Sequence, residues 1–367
     1  MEAKAFGESL KKYTTLNALP VGISTDNVDS HRKFIDKHGL NVKLLADPQK
    51  TVVRDYSGSL LGWAKRKSFL IDPKGTLRKI YDSVKPKTHA QEVLRDLEGL
   101  TELVQTLGML ETKNRQVLDS ITAASHIQRA VLPNLDELRL EFKEFSLLWE
   151  PRDVVGGDCY WGVQRENQIW LGLFDCTGHG VPGAFVTLIL LSGLFRIFQE
   201  SENRTPGTLL SLLDRYLRTA LGQEAPSGRG DDGADGAIVQ WNKTKSELLF
   251  SGAKLPLWIQ QADGHLSEFK PERHSLGYRT KVERPQFAEH SISLKPGFRM
   301  LLFTDGVTDE VGPRSISYGK RRLRAFLKEH QAASLASLQS KLQVELASWR
   351  GEKLRRDDLT FIGIQPF

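Results

Sequence analysis

Cysteine is nearly absent from this chain: 2 residues in 367, Cys159 and Cys176, with none upstream of them. So few thiols exclude a disulfide framework, and their spacing offers no CxxC pair for a redox or metal site. Long apolar runs are missing too. None reaches the roughly 18 residues that a membrane span needs, and the N-terminus, MEAKAFGESLKKY, has no apolar signal-peptide core. These absences point to a cytoplasmic protein without a membrane partner. A strong charge of one sign is also lacking: 51 Lys and Arg against 45 Asp and Glu leave a net charge of +6. The basic residues are scattered, with small clusters at 320–324 and 353–356, and form no stripe interleaved with aromatics. Nucleic acid is therefore not an expected partner. Hydrophobic content of 40% and charged content of 26% suit a globular chain long enough for two domains.

What the chain does have is carboxylates beside glycines. Residues 151–161 read PRDVVGGDCYW and 171–184 read LGLFDCTGHGVPGA, placing Asp158 and Asp175 in glycine-rich surroundings near strand-like runs at 145–150 and 169–174. Glycines at 156, 157, 178 and 180 let a backbone bend or come close to a ligand. An apolar helical run, 184–198, follows Pro182. Two further acidic motifs lie downstream: LLFTDGVTDE with Asp305, and RRDDLTFIGI with Asp357 and Asp358, each next to an apolar strand-like run. Carboxylates at strand ends beside glycines suit oxygen-ligated divalent cations and a phosphate. Taken singly, each motif also reads as an ordinary turn with a solvent-facing Asp. Four of them spread along the chain make chemical sense only if folding gathers them.

In order and type, VGGD, DCTGHGVPGA, TDGVTDE and DDLT resemble the motifs of the PPM family, the metal-dependent serine/threonine phosphatases. The bacterial branch of the sporulation stage II and sigma-factor-regulator phosphatases is the nearest in pattern. HIQRAVLP, residues 126–133, is similar to the segment that leads into that domain. The resemblance implies an α+β phosphatase domain, a two-sheet β-sandwich flanked by helices, over residues 133–367. It implies two divalent cations, Mn or Mg. Asp175 would bridge them, the backbone carbonyl of Cys176 and Asp158 would complete one shell, and Asp305 with Asp357 would hold the other. Asp358 is the alternative to Asp357 if the register slips by one. Asp232 or Asp235 would serve a weaker third site. His179 is a candidate acid for the leaving seryl oxygen and Arg152 a candidate phosphate contact; each reads equally well as a loop or surface residue. The implied reaction is attack of a metal-activated water on phosphoserine or phosphothreonine. The implied partner is a phosphorylated regulatory protein such as an anti-sigma-factor antagonist.

Residues 1–99 alternate helix and strand signals and read as an α/β, partial thioredoxin-like domain. Expected elements are a strand at 18–24, a helix at 28–38 capped by Asp26 or Asn27, a strand at 43–46, and a hairpin of 67–72 and 76–81 around DPKG. VGISTDNVDSHRKF, LLADPQKTVVRDY and RKSFLIDPKGTLRKIY resemble the later part of a bacterioferritin-comigratory-type peroxiredoxin. The departure from that family is chemical. Its resolving Cys, where present, would fall at Lys4, and its active-site Arg matches Arg66, but no Cys precedes position 159. Peroxide reduction needs a thiolate. Either the segment is a degenerate remnant or the chain start is placed too late. The rival functions are accordingly a thiol peroxidase or redox-binding protein, and an inactive phosphatase-like scaffold.

Residues 100–132 read as a helical linker. Val93, Leu97, Leu100, Val104 and Leu107 step 4, 3, 4, 3, a coiled-coil seam that then meets Glu111 and Asn114. The seam fits either a helix packed on its own domain or a parallel homodimer. After residue 133 strands dominate, with further ones expected at 236–241, 248–252, 257–261 and 287–293. Helices are expected at 183–199, 208–221, 319–329 and 334–349. Residues 223–235 read as a mobile glycine-rich loop near the site.

Overall fold

The computed structural model describes residues 2–57, 65–202, 204–224, 230–279 and 286–366. The chain forms two compact units, Met1–Gln116 and Val117–Phe367, and the division falls inside one long helix.

The first unit runs α1 (Glu2–Glu8), α2 (Leu10–Thr15), β1 (Val21–Ser24), α3 (Val28–His38), β2 (Lys43–Ala46), α4 (Thr51–Ser57), β3 (Ser68–Ile71), β4 (Leu77–Tyr81) and the start of α5 (His89–Val131). Capping explains the sharp bounds of α3. The Asn27 side chain accepts from the Ser30 amide, and Gly39 ends the helix in the left-handed region at φ +59°. Asp47 likewise accepts from the Thr51 and Val53 amides at 3.0 and 2.9 Å and opens α4, which the sequence reading did not anticipate. The expected strand from residue 18 begins only at Val21, because the Ala18 amide closes onto the Tyr13 carbonyl. β1 and β2 pair in parallel and β3 and β4 form an antiparallel hairpin, giving two small separate sheets. The core is correspondingly small: Tyr13, Tyr81, Val93 and Leu94. The seam of α5 thus starts by packing on its own unit. Beyond that, Leu103, Val104, Leu107 and Leu118 are all exposed.

The second unit continues from α5 with α6 (Asp136–Arg139), β5 (Glu144–Glu150), β6 (Asp158–Arg165), β7 (Gln168–Cys176), α7 (Gly180–Glu200), α8 (Pro206–Ala220), β8 (Ala234–Asn242), β9 (Glu247–Ala253), β10 (Leu257–Gln260), β11 (Leu266–Phe269), β12 (His290–Ser293), β13 (Arg299–Phe303), α9 (Asp305–Thr308), α10 (Gly319–Glu329), α11 (Leu335–Arg350) and β14 (Leu359–Gln365). Two five-stranded sheets result, in the orders β11-β10-β13-β14-β5 and β12-β9-β8-β7-β6. Alternation along β7 shows how they pack. Ile169, Leu171 and Leu173 join a core with Met300, Leu302, Ile362 and Ile364 of the facing sheet. Trp170, Phe174 and Cys176 point the other way, into a core with Leu190 and Leu194 of α7 and Leu209 and Leu213 of α8. On the outer side of the other sheet, Leu301, Phe303 and Phe361 pack against Leu323 of α10 and Leu338 and Leu342 of α11. Strands buried on both faces read as continuous apolar runs. The result is the expected two-sheet sandwich with helices on both sides. Each fully buried Leu contributes about 1.5–3 kcal/mol.

Helix α7 needs a correction to the expectation about apolar runs. By length and composition it is apolar enough to cross a membrane, but half of that window is buried inside the unit. Ala184, Val186, Leu190, Leu191, Leu194 and Phe198 are on its buried face, as in a core helix.

Candidate active site

β6 and β7 pair so that Asp158 stands opposite Asp175, and β7 and β8 pair so that Asp175 stands opposite Asp235. Directly opposed residues point to the same face of a sheet. The three carboxylates therefore form a row across one strand end, on the face turned toward the other sheet. That second sheet supplies the rest. Asp305 follows β13 through Thr304, and Asp357 and Asp358 precede β14, the neighbour of β13. Asp158 is the first residue of its strand, where the motif had suggested a turn.

Asp158 ties the two sheets together. It is 1% exposed, and its Oδ2 accepts from the hydroxyls of Thr304 and Thr360, each at 2.7 Å. The two threonines are also bonded to each other: the Thr304 amide donates to the Thr360 carbonyl and the Thr360 amide to the Thr304 hydroxyl, both at 3.0 Å. Burial pushes the Asp158 carboxyl well above the usual carboxylate range. The two hydroxyls pull it back, and the charges of Asp358 and Asp357 push it further. Burial also pushes Asp175 well up, followed by the charges of Asp158, Asp305 and Asp357. Asp305 keeps solvent access on one side. Even so, the protein packed around it, then Asp357 and Asp309, push it up to about 6, against a hydrogen bond from Asp175 that lowers it.

The neighbouring acids at the start of β14 divide their work. Asp358 is 3% exposed, and its oxygens accept from the amides of Arg152 at 2.6 Å, Gly157 at 2.5 Å and Asp158 at 3.4 Å. It braces the Gly156–Asp158 turn from within. Asp357 is exposed, caps the Asp358 amide at 2.9 Å, and acts electrostatically on Asp175 and Asp305. The glycines are required by contact. A Cβ on Gly156 would lie 2.8 Å from the Asp358 carboxylate, and one on Gly157 would lie 2.5 Å from the Gly178 carbonyl oxygen and 2.7 Å from that of Cys176.

Other expected residues lie at the edge. His179 Nδ1 meets Asp153 Oδ2 at 3.1 Å, with both side chains about half exposed. Arg152 Nη1 donates to the Arg356 carbonyl at 3.0 Å. Asp235 is in the carboxylate row and also faces Lys254 Nζ at 3.6 Å. The backbone of Asp232 is clasped by the Gln223 side chain in two 2.6 Å bonds, and among the described residues no hydrogen bond or ion pair joins its carboxylate to the row. Residues 225–229 of the expected glycine-rich loop lie outside the described residues. The sulfur of Cys176 belongs to the core beneath α7, on the face away from the acids, and Cys159 shares that core. Burial pushes the Cys159 thiol well above its ordinary value. Neither thiol is placed as a nucleophile, which also leaves the peroxidase alternative without one.

The donor set fits hard divalent cations. It is all oxygen, and among the described residues no ion pair neutralises Asp158, Asp175, Asp305 or Asp357. Like charges held together in a buried place need a counter-charge. Among the described residues no group of three or more His, Cys, Asp or Glu side chains is set to hold a metal ion as it stands.

Sequence reasoning missed Thr304, Thr360 and Gln128. The threonines were inside quoted motifs, and the signal was their parity: Thr360 is in step with Ile362 and Ile364 on the inward face of β14, and Thr304 directly follows β13 in step with Met300 and Leu302.

A two-sheet sandwich with helices outside and an acid-lined end is the architecture of a PPM/PP2C-type protein phosphatase. The model of the stage II sporulation protein E (SpoIIE) family matches residues 165–366, and the chain belongs to that family. The AhpC/TSA family model matches residues 1–80, so the N-terminal segment is peroxiredoxin-like. The SiaA-PP2C domain of Pseudomonas aeruginosa is 30% identical with a TM-score of 0.62, over 69% of this chain and 98% of that one. The PP2C domain with a regulatory fragment of SpoIIE from Bacillus subtilis is 14% identical with a TM-score of 0.50, over 60% of this chain and 62% of that one, a likeness of fold alone. Peroxiredoxin Bcp of Bacillus subtilis is 32% identical over 110 residues, 28% of this chain and 69% of its own length.

Proposed function

We propose that this phosphatase hydrolyses phosphoserine or phosphothreonine on a regulatory protein of a bacterial partner-switching pathway, an anti-sigma-factor antagonist in the cytoplasm. In this reading two divalent cations, Mn²⁺ or Mg²⁺, are held by Asp158, Asp175, Asp305, Asp357 and the backbone carbonyl of Cys176. One observation carries it: carboxylates from both sheets gather at one end of the sandwich, and among the described residues no ion pair neutralises Asp158, Asp175, Asp305 or Asp357, whereas Asp235 at the end of the row faces Lys254. The cations, when bound, supply an activated water and neutralise charge on the phosphoryl group. Asp175 takes the central place, because Asp158, Asp305 and Asp357 all act on it. Thr304 and Thr360 orient Asp158, Asp358 holds the glycine turn, and Arg152 and His179 line the rim.

Turnover of p-nitrophenyl phosphate and of a phosphoserine peptide by the purified chain, with Mn²⁺ and with EDTA, tests this. The expected result is activity with Mn²⁺ and none with EDTA. Turnover that persists in EDTA would falsify the reading. A carboxylate ligates only when deprotonated. Asp305 takes up its proton as pH falls through about 6, so the half-saturating Mn²⁺ concentration should rise below that pH.

The same reading treats residues 1–99 as a sensor or docking module and 100–132 as a linker that pairs in a homodimer. The support is the apolar set Leu103, Val104, Leu107 and Leu118, exposed on a 43-residue helix. Leu100→Glu with Val104→Glu should shift the chain from dimer to monomer in light scattering. A wild-type chain that is monomeric at tens of micromolar sinks this part.

A further inference from the structure

The end of α5 carries a buried side chain that none of the acid motifs accounts for. Gln128 is 2% exposed, and both ends of its amide are engaged with one residue of the glycine turn. Its Nε2 donates to the Gly156 carbonyl at 2.6 Å, and its Oε1 accepts from the Gly156 amide at 3.2 Å. This is a two-bond clasp on a peptide with no Cβ of its own. Gly156 cannot gain one without striking the Asp358 carboxylate. The next peptide is held from three other directions. The Gly157 amide donates to Asp358 Oδ2, and the Gly157 carbonyl accepts from Thr187 Oγ1 of α7 at 2.9 Å and from the Cys176 amide at 3.2 Å. Asp158 comes next.

We infer that Gln128 is a positioning residue: its clasp on Gly156 fixes the turn that delivers Asp158, and the Cys176 carbonyl beside it, to the cation site. This rests on the phosphatase reading above and adds to it a residue from outside the acid motifs. The physical reason is completeness. The backbone of Gly156 is buried, so its amide and carbonyl need partners, and the Gln128 amide offers a donor and an acceptor at once. Without the clasp, the turn keeps the contacts of Gly157 but loses its anchor on the helix side. The Asp158 carboxylate keeps its two threonine bonds, but the main chain that leads into it is held on one side fewer, and an ion must fix that turn at a cost in affinity.

Gln128→Met keeps length and approximate volume and removes both bonds. Ser125→Ala, one turn earlier, removes a buried hydroxyl that donates to the Thr122 carbonyl of the same helix. The full chain, stripped with EDTA, is titrated with Mn²⁺ by calorimetry, and turnover of p-nitrophenyl phosphate is followed in parallel. Loss of a group that orients a ligand lowers metal affinity by about 10–100-fold. Gln128→Met should therefore weaken Mn²⁺ binding at least about tenfold, with Ser125→Ala close to wild type. An unchanged Mn²⁺ affinity in folded Gln128→Met, or an equal loss in Ser125→Ala, overturns the inference. Wild-type chain with no Mn²⁺-dependent turnover overturns the phosphatase reading instead. If Gln128→Met does not fold, hydrogen exchange on the wild-type chain decides. The Gly156 amide should be as protected as the interior amides of β6, and free exchange there means that no clasp exists.

Discussion

Asp175→Asn is expected to give a folded chain that has lost nearly all turnover, by more than about a hundredfold. Removing a group that only orients a ligand costs about 10–100-fold, and Asp175 is itself the central acid of the cluster. The amide keeps the shape but offers no negative charge. A second result should accompany the loss. Burial and the charges of Asp158, Asp305 and Asp357 all push the Asp175 carboxyl up, so without cations its charge works against the fold. A group whose folded pKa is raised stabilises only below that pKa, and the contribution is lost as pH rises through it. In EDTA at neutral pH, Asp175→Asn should therefore melt at or above the wild-type temperature. Retention of more than a tenth of wild-type turnover, roughly 1.4 kcal/mol of barrier, would remove Asp175 from the centre of the site.

The second large effect is expected at Gly306, which carries no functional group. A Cβ there would lie 1.8 Å from the Asp358 carbonyl oxygen and 2.9 Å from its carbonyl carbon. Both are backbone atoms, so no side chain can rotate away. In Gly306→Ala the start of α9 and the start of β14 must separate, and these segments carry Asp305 and Asp357. Overpacking of this kind costs about 1–3 kcal/mol of stability. A misplacement of about 1 Å costs on the order of a hundredfold in rate. Gly108→Ala is the comparison, since nothing lies within 4 Å of a Cβ at that exposed position of α5. There the gain in helix propensity, up to about 1 kcal/mol, should leave activity unchanged. Equal activities in the two variants would show that the contact at Gly306 does not set the geometry of the acids.

What could be read from the sequence was local. Helix α3 is delimited by Asn27 and Gly39, which cap it with their own atoms, and the reading of 28–38 matches the observed Val28–His38. The same holds for α10, where 319–329 was expected and Gly319–Glu329 is found. The acid motifs could be read because each combines a carboxylate, a glycine and an apolar strand in a few residues. Strand register could not, since it depends on pairing between distant segments. The row of Asp158, Asp175 and Asp235 exists only because β6, β7 and β8 align as they do. The division of work between Asp357 and Asp358 is likewise decided by amides about 200 residues earlier in the chain, those of Arg152, Gly157 and Asp158. Gln128 lay in a quoted segment, but its role depends on a turn 28 residues away.

The placement of the two cysteines has a consequence for oxidative stress. Oxidants attack thiolates, and they find them where a cysteine is accessible and acidic. Cys159 and Cys176 are 0% and 3% exposed, and burial holds the Cys159 proton in place. A hydrolase with a sulfur nucleophile is switched off when that sulfur becomes a sulfenic acid. This chain has no cysteine sulfur at its acid-lined end to lose, and its peroxiredoxin-like segment carries no cysteine. Peroxide that silences an enzyme built on an accessible thiolate finds both cysteines of this chain buried.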